Sequence, residues 1–143
     1  MAGLNLGIMV KGVQELAAKL EPDKMLNMPL KKLLGEAGRL VERQAKIDVP
    51  VDTGRLRASI THEVSSEALP LWARVGTKVE YASFVELGHK QEVGRYVHAI
   101  RRRLVRPFVP GKPFLHPAFE KMKDKIDSLL SEARGLIEGA WKR

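Results

Sequence analysis

The stretch from Pro50 to Ile60, PVDTGRLRASI, divides the chain into a part patterned as helix and a part patterned as strands. Pro50 has no amide to donate, and it disfavours helical backbone in the residue before it, so a helix arriving from the N-terminal side must stop here. Asp52 and Thr53 carry oxygens that can accept hydrogen bonds from the free amides of a turn beginning at Gly54. Beyond the junction Ile60, His62 and Val64 alternate in the manner of a strand. Everything before Pro50 therefore reads as helical, and the mixed part of the fold follows it.

On the helical side Val13, Leu16, Ala17 and Leu20 fall at helical spacing, with Pro22 as a stop and Glu21 to Pro29 as a connector. A stronger stripe follows: Leu30, Leu33, Leu34, Ala37, Leu40, Val41 and Ala45 share one face, while Lys31, Lys32, Glu36, Arg39, Glu42, Arg43 and Lys46 avoid it. This predicts a core helix over 30–49 with one wet face. After the junction a meander is expected: a strand over 60–64, turn residues Ser65 to Pro70, a second strand over Leu71 to Val75, and a continuation through Val79 and Tyr81. Tyr81 to Leu87 then reads as a short helix closed by Gly88. Pro117 is placed at a first helical position, and Phe119, Met122, Ile126, Leu129, Leu130, Ala133, Leu136 and Ile137 carry a long final helix.

The fold class expected is α+β: a small antiparallel sheet of three or four strands packed against a long central helix and a long C-terminal helix. A chain of 143 residues fits a single domain. Its parts are an N-terminal helix and connector (1–29), the core helix (30–49), the meander (50–88), a basic protruding segment (89–112) and the final helix (113–143). The absence of cysteine excludes disulfides and thiolate chemistry and suits assembly in a reducing cytosol. No apolar run approaches the ~20 residues of a membrane span, and the first residues lack the order of an export signal.

Charge is concentrated rather than spread. The net charge is +8, and Arg95, Arg101, Arg102, Arg103 and Arg106 stand in RYVHAIRRRLVR with no acid among them. Clustered guanidinium groups suit phosphate contact whatever the base sequence; the other readings are a solvated loop or an arginine-rich subunit contact. Only Tyr96 interleaves them, which is too little for stacking on single strands. The segment is expected as a helix or a long protruding hairpin.

No catalytic constellation is found. His62, His89, His98 and His116 stand apart from one another and form no metal motif, and no nucleophile elbow, phosphate loop or dinucleotide fingerprint occurs. Glu80 and Glu86 read as salt-bridge partners for the arginines. Thr53, Gly54, Arg55 and Arg57 could form an anion nest, but Asp52 already supplies a negative group there and can pair with Arg55 or Arg57. No enzyme activity, cofactor or metal is expected.

The order of VDTGRLRASI, VGT at Val75 to Thr77, YASFVELG at Tyr81 to Gly88 and PFLHPA at Pro113 to Ala118, before a long terminal helix, resembles the tail-component family of long-tailed double-stranded-DNA bacteriophages. The likeness runs from about Leu30 to the C-terminus. It puts Asp52, Thr53, Gly54 and Leu56 on a first motif, Tyr81, Ala82, Val85, Glu86 and Gly88 on a second, and Pro113, Phe114, Leu115, Pro117 and Ala118 on a third. His89 replaces a common threonine and His116 a frequent arginine. The resemblance implies a structural virion protein of the neck, a ring-forming subunit that completes the tail or joins it to the head. Six copies, or alternatively twelve, would meet other neck and tail proteins, with non-specific contact to genomic duplex DNA through the arginines. The alternative is a stand-alone basic nucleic-acid-binding protein.

Overall fold

A computed structural model describes residues 5–8, 24–66 and 71–142. Strand β1 (Asn5–Ile8) is followed by helix α1 (Lys24–Asp48), the short helix α2 (Arg55–Ser59), strands β2 (Thr61–Val64) and β3 (Ala73–Gly76), and helix α3 (Ala82–Leu87). Strands β4 (Gly88–Lys90), β5 (Tyr96–Val97), β6 (Arg102–Arg103) and β7 (Phe108–Pro110) come next, and helix α4 (Leu115–Trp141) closes the chain. The architecture is α+β, with the two long helices and the small three-stranded antiparallel sheet expected, and two further two-stranded ladders.

Helix α1 buries Leu30, Leu34, Ala37, Val41 and Ala45 and keeps Leu33 and Leu40 half-buried. Spacing of three and four residues places them on one face, and that face meets α4 and the sheet. Two expectations need correction here. The helix begins at Lys24 rather than Leu30, and Pro29 lies inside it. Pro29 falls in the second turn, where its missing amide removes one hydrogen bond while the apolar face beyond it holds the helix together. The expected helix over Val13 to Leu20 lies outside the described residues.

The main sheet has the order β1-β3-β2, both pairs antiparallel, with Leu6 opposite Val75 and His62 opposite Val75 from the other side. Strand β1 corrects the reading of the whole N-terminal part as helical. Val79 and Tyr81 do not continue the sheet. After Gly76 the Thr77 hydroxyl accepts the Val79 amide at 3.1 Å and lies 2.6 Å from the Ser59 hydroxyl, which turns the chain away from the ladder. Tyr81 then becomes the residue preceding α3.

The core lies where α1, α4 and the sheet meet. Val41, Ile60, Val75 and Phe114 are its largest fully buried side chains. A second cluster at the other end joins Leu30, Leu34, Leu71, Ala73, Ala133 and Ile137. Polar links reinforce the edges. The Lys121 ammonium donates to both Asp48 oxygens at 2.8 and 2.9 Å, fastening α4 to the end of α1.

His62 on β2 and Lys46 on α1 both contact the Glu42 carboxylate. Burial alone raises the Glu42 carboxyl, but the hydrogen bonds and charges of Lys46 and His62 outweigh it and leave the group below its ordinary 4.5. A depressed carboxyl stabilises the fold above its unfolded value and loses that contribution as pH falls through the folded value. Thermal melts are therefore expected to lose stability below about pH 4.5, and Glu42→Gln should flatten that acid limb. An unchanged slope in the variant would show that other carboxylates govern it.

Candidate functional site

The three sequence motifs converge on one end of the molecule. Leu56 from the first, Ala82 from the second, and Phe114, Leu115 and Ala118 from the third are all buried in the same cluster. At the surface Val51 to Arg57 line a shallow open groove with Tyr81, Val85 and Lys112. Gly54 turns the chain into α2 with φ of 80°, in the left-handed region that glycine occupies without steric cost.

The hydrogen bonding of this junction differs from the expectation. Among the described residues no side chain caps α2; Thr53 Oγ1 accepts the Arg55 amide at a long 3.4 Å, and the Gly54 carbonyl accepts from Ala58 at 2.9 Å. Asp52 is exposed, and among the described residues it pairs with neither Arg55 nor Arg57. The turn is made by glycine backbone, and Leu56 anchors it to the core.

Glu86 corrects the sequence reading most. It is not an arginine's partner. Its side chain is turned inward, the residue only 7% exposed, and Oε2 accepts the amides of Phe114 at 2.7 Å and Leu115 at 3.0 Å, while Oε1 accepts that of His116 at 3.0 Å. These amides open α4, whose first turn has no acid and whose preceding residue, Phe114, cannot cap it. A carboxylate from α3 therefore supplies both acceptors and the negative charge a helix start favours. Pro117 is the third residue of α4 rather than the first, still within the turn whose amides need no intrahelical partner. Glu80 is exposed and joins no ion pair among the described residues.

Between these clamped ends stands a β-arm. Strands β4 and β7 pair from Gly88 opposite Pro110 to Lys90 opposite Phe108. Bonds from Gln91 to the Pro107 carbonyl and between Gly94, Arg95 and Leu104 continue the ladder. Strands β5 and β6 pair Tyr96 with Arg103 and Val97 with Arg102 at the tip. Of the two forms expected for the basic segment, the protruding hairpin is the one adopted. At the base, Gly88 takes φ of 81° and ψ of 176°, and the Lys112 amide donates to the Val85 carbonyl at 2.7 Å.

The arm presents Arg95, Arg101, Arg102, Arg103 and Arg106 to solvent. Arg95 lies 3.9 Å from Glu92, and one Arg103 N–H donates to the Gly94 carbonyl at 2.8 Å. His89, half-buried, packs its ring 5.7 Å from Phe84; His116 is exposed and touches Glu86 only through its backbone. Among the described residues no three His, Asp or Glu side chains converge as metal ligands, and no helix is long and apolar enough to cross a membrane.

The HK97-gp10-like family, the bacteriophage HK97-gp10 tail component, matches residues 14–88, just over half of the chain. The chain belongs to the HK97-gp10-like family. No curated protein and no solved structure matches it. This tail component is thus a phage structural protein, and a part of the virion. The match covers α1, the junction, the hairpin and α3 and stops at Gly88, where the arm of this tail component starts. The third motif lies beyond it and is tied to the matched part by Glu86.

Nothing in the local pattern of YASFVELG marks Glu86 as a cap, because its partners lie 28 to 30 residues downstream. The usable signal was at the other end. A strongly periodic helix that opens PFLHPA, with no Ser, Thr, Asp or Asn to cap it, requires an acceptor from elsewhere.

Proposed function

We propose that this tail component is a ring-forming subunit of the phage neck that completes the tail or joins it to the head, with six copies closing the ring and twelve as the alternative. The family match carries this reading, and the basic arm that projects between α3 and α4 supports it. A ring needs each copy to offer two different surfaces to its neighbours, and an arm projecting from a fixed base provides one of them. The role is structural, with no reaction to perform, and the other partners are neck and tail proteins. Asp52, Thr53, Gly54, Leu56, Tyr81, Gly88 and Pro113 serve in this reading to set the base from which the arm projects.

Mass photometry and negative-stain imaging of the purified protein test it. Closed rings of six or twelve are the expected result, and a monomer at every concentration, alone and with tails lacking the protein, would overturn it. The net charge of +8 favours a second reading, a basic protein whose function is duplex binding itself. That reading expects a monomer or dimer with salt-sensitive, sequence-indifferent affinity, lost when Arg101, Arg102 and Arg103 become Ala.

A further inference from the structure

The arm is more than a basic patch. Ile100 at its turn is 57% exposed and Val105 beside β6 is 80% exposed, so exposed apolar side chains flank the run of guanidinium groups. A phosphate backbone offers such side chains nothing, whereas a protein surface removes them from water. Arg101 holds φ of 50°, a conformation unfavourable for a side chain of this kind, to begin β6 at the tip. Arg101, Arg102 and Arg106 reach no carboxylate among the described residues, and Arg103 keeps most of its donors free.

The complementary surface is on the same chain. Glu120, Asp124 and Asp127 occur at i, i+4 and i+7 along α4, all exposed, on the face opposite buried Ala118, Ile126, Ala133 and Ile137. They span about 10 Å of helix axis, and an extended Arg101 to Arg103 spans about 7 Å, a fit within reach of long side chains. None of the three carboxylates is paired among the described residues, although Lys123 and Lys125 flank them.

We propose that the arm of one copy docks on the outer face of α4 of the next, Arg101, Arg102 and Arg103 against Glu120, Asp124 and Asp127. The proposal rests on the ring reading and names its contact. Two unlike surfaces on one chain make a heterologous interface, the kind that closes rings. The tip of a two-stranded arm is small beside a stable interface, so each contact is weak and salt-sensitive, and closure of the ring adds the second contact that holds every subunit.

Charge reversal tests this. Arg101→Glu with Arg102→Glu and Arg103→Glu makes arm and helix face both negative; Glu120→Lys with Asp124→Lys and Asp127→Lys makes both positive. Each triple variant should lose self-association by about tenfold or more. Mixing the two should restore closed rings in which they alternate, and combining all six changes in one chain should restore rings as well, a rescue that misfolding cannot imitate. Because the chain has no native cysteine, Arg102→Cys with Asp124→Cys should yield intermolecular disulfides even where free association is weak, in excess of a Glu36→Cys control. Rings that survive both reversals would overturn this contact and leave the ring reading standing. No assembly and no cross-link above control would overturn both. Loss of duplex binding on arm reversal, with ring size unchanged, would make DNA the arm's partner and overturn the proposal.

Discussion

Glu86→Ala is expected to lower the stability of the protein by about 3 kcal/mol, a fall in Tm on the order of 10 °C for a chain of this size. Glu86 accepts the three amides of Phe114, Leu115 and His116, which the helix cannot satisfy itself. Two of them, on Phe114 and Leu115, belong to buried residues, so water does not simply replace the lost carboxylate. Glu86→Gln should recover part of the loss, because its carbonyl oxygen still accepts while its NH₂ faces an amide donor. Glu86→Asp, one methylene shorter, should behave more like alanine. A Tm within 2 °C of wild type for the alanine variant would show that α4 starts without this cap. Differential scanning calorimetry provides the measurement, and hydrogen exchange at Leu115 and His116 locates the effect.

Alanine at Gly88 or Gly111 is expected to be as damaging, about 3 kcal/mol or more in each case. The two residues face each other where the arm leaves the body. A Cβ on Gly88 would stand 2.7 Å from the Gly111 nitrogen and 2.8 Å from Phe108 Cζ; one on Gly111 would stand 2.6 Å from the Gly88 nitrogen and 2.7 Å from the Leu87 carbonyl carbon. Backbone cannot yield as a side-chain tip can. Gly88 adds its own penalty, since φ of 81° with ψ of 176° lies in a region that essentially only glycine occupies. Gly94→Ala separates the two causes: it has φ of 90° with open space around it, and should cost only the backbone strain, about 1 kcal/mol. Calorimetry and limited proteolysis of 91–106 read both effects. Equal losses for Gly88→Ala and Gly94→Ala would mean that crowding at the base contributes nothing.

What could be read from sequence was whatever repeats locally. The stripes of α1 and α4, the β2–β3 hairpin and the stop at Gly88 all follow from periodicity and from glycine and proline chemistry within a few residues. The errors have a common cause. Strand β1 is four residues, NLGI, whose state is set by pairing with Ala73–Gly76 some 68 residues away. Val79 alternates correctly for a strand, yet the Thr77 hydroxyl diverts its backbone. Lys24 to Pro29 lacked a clean stripe and held a proline, and tertiary packing of the turns that follow decided the matter. At the site, the arginines and the motif positions were visible as residues, while the Glu86 clamp depended on contacts of long sequence separation.

The nearness of Gly88 to Pro110 means that the chain leaves the body and returns at almost the same point. Everything between is an excursion from the fold that begins and ends at one place. Changes in its length or side chains are expected to leave the helices beneath intact as long as Gly88, Gly111 and Glu86 are kept. On the docking proposed above, exchanging residues 91–106 would change the surface the arm fits while leaving the body of the fold in place.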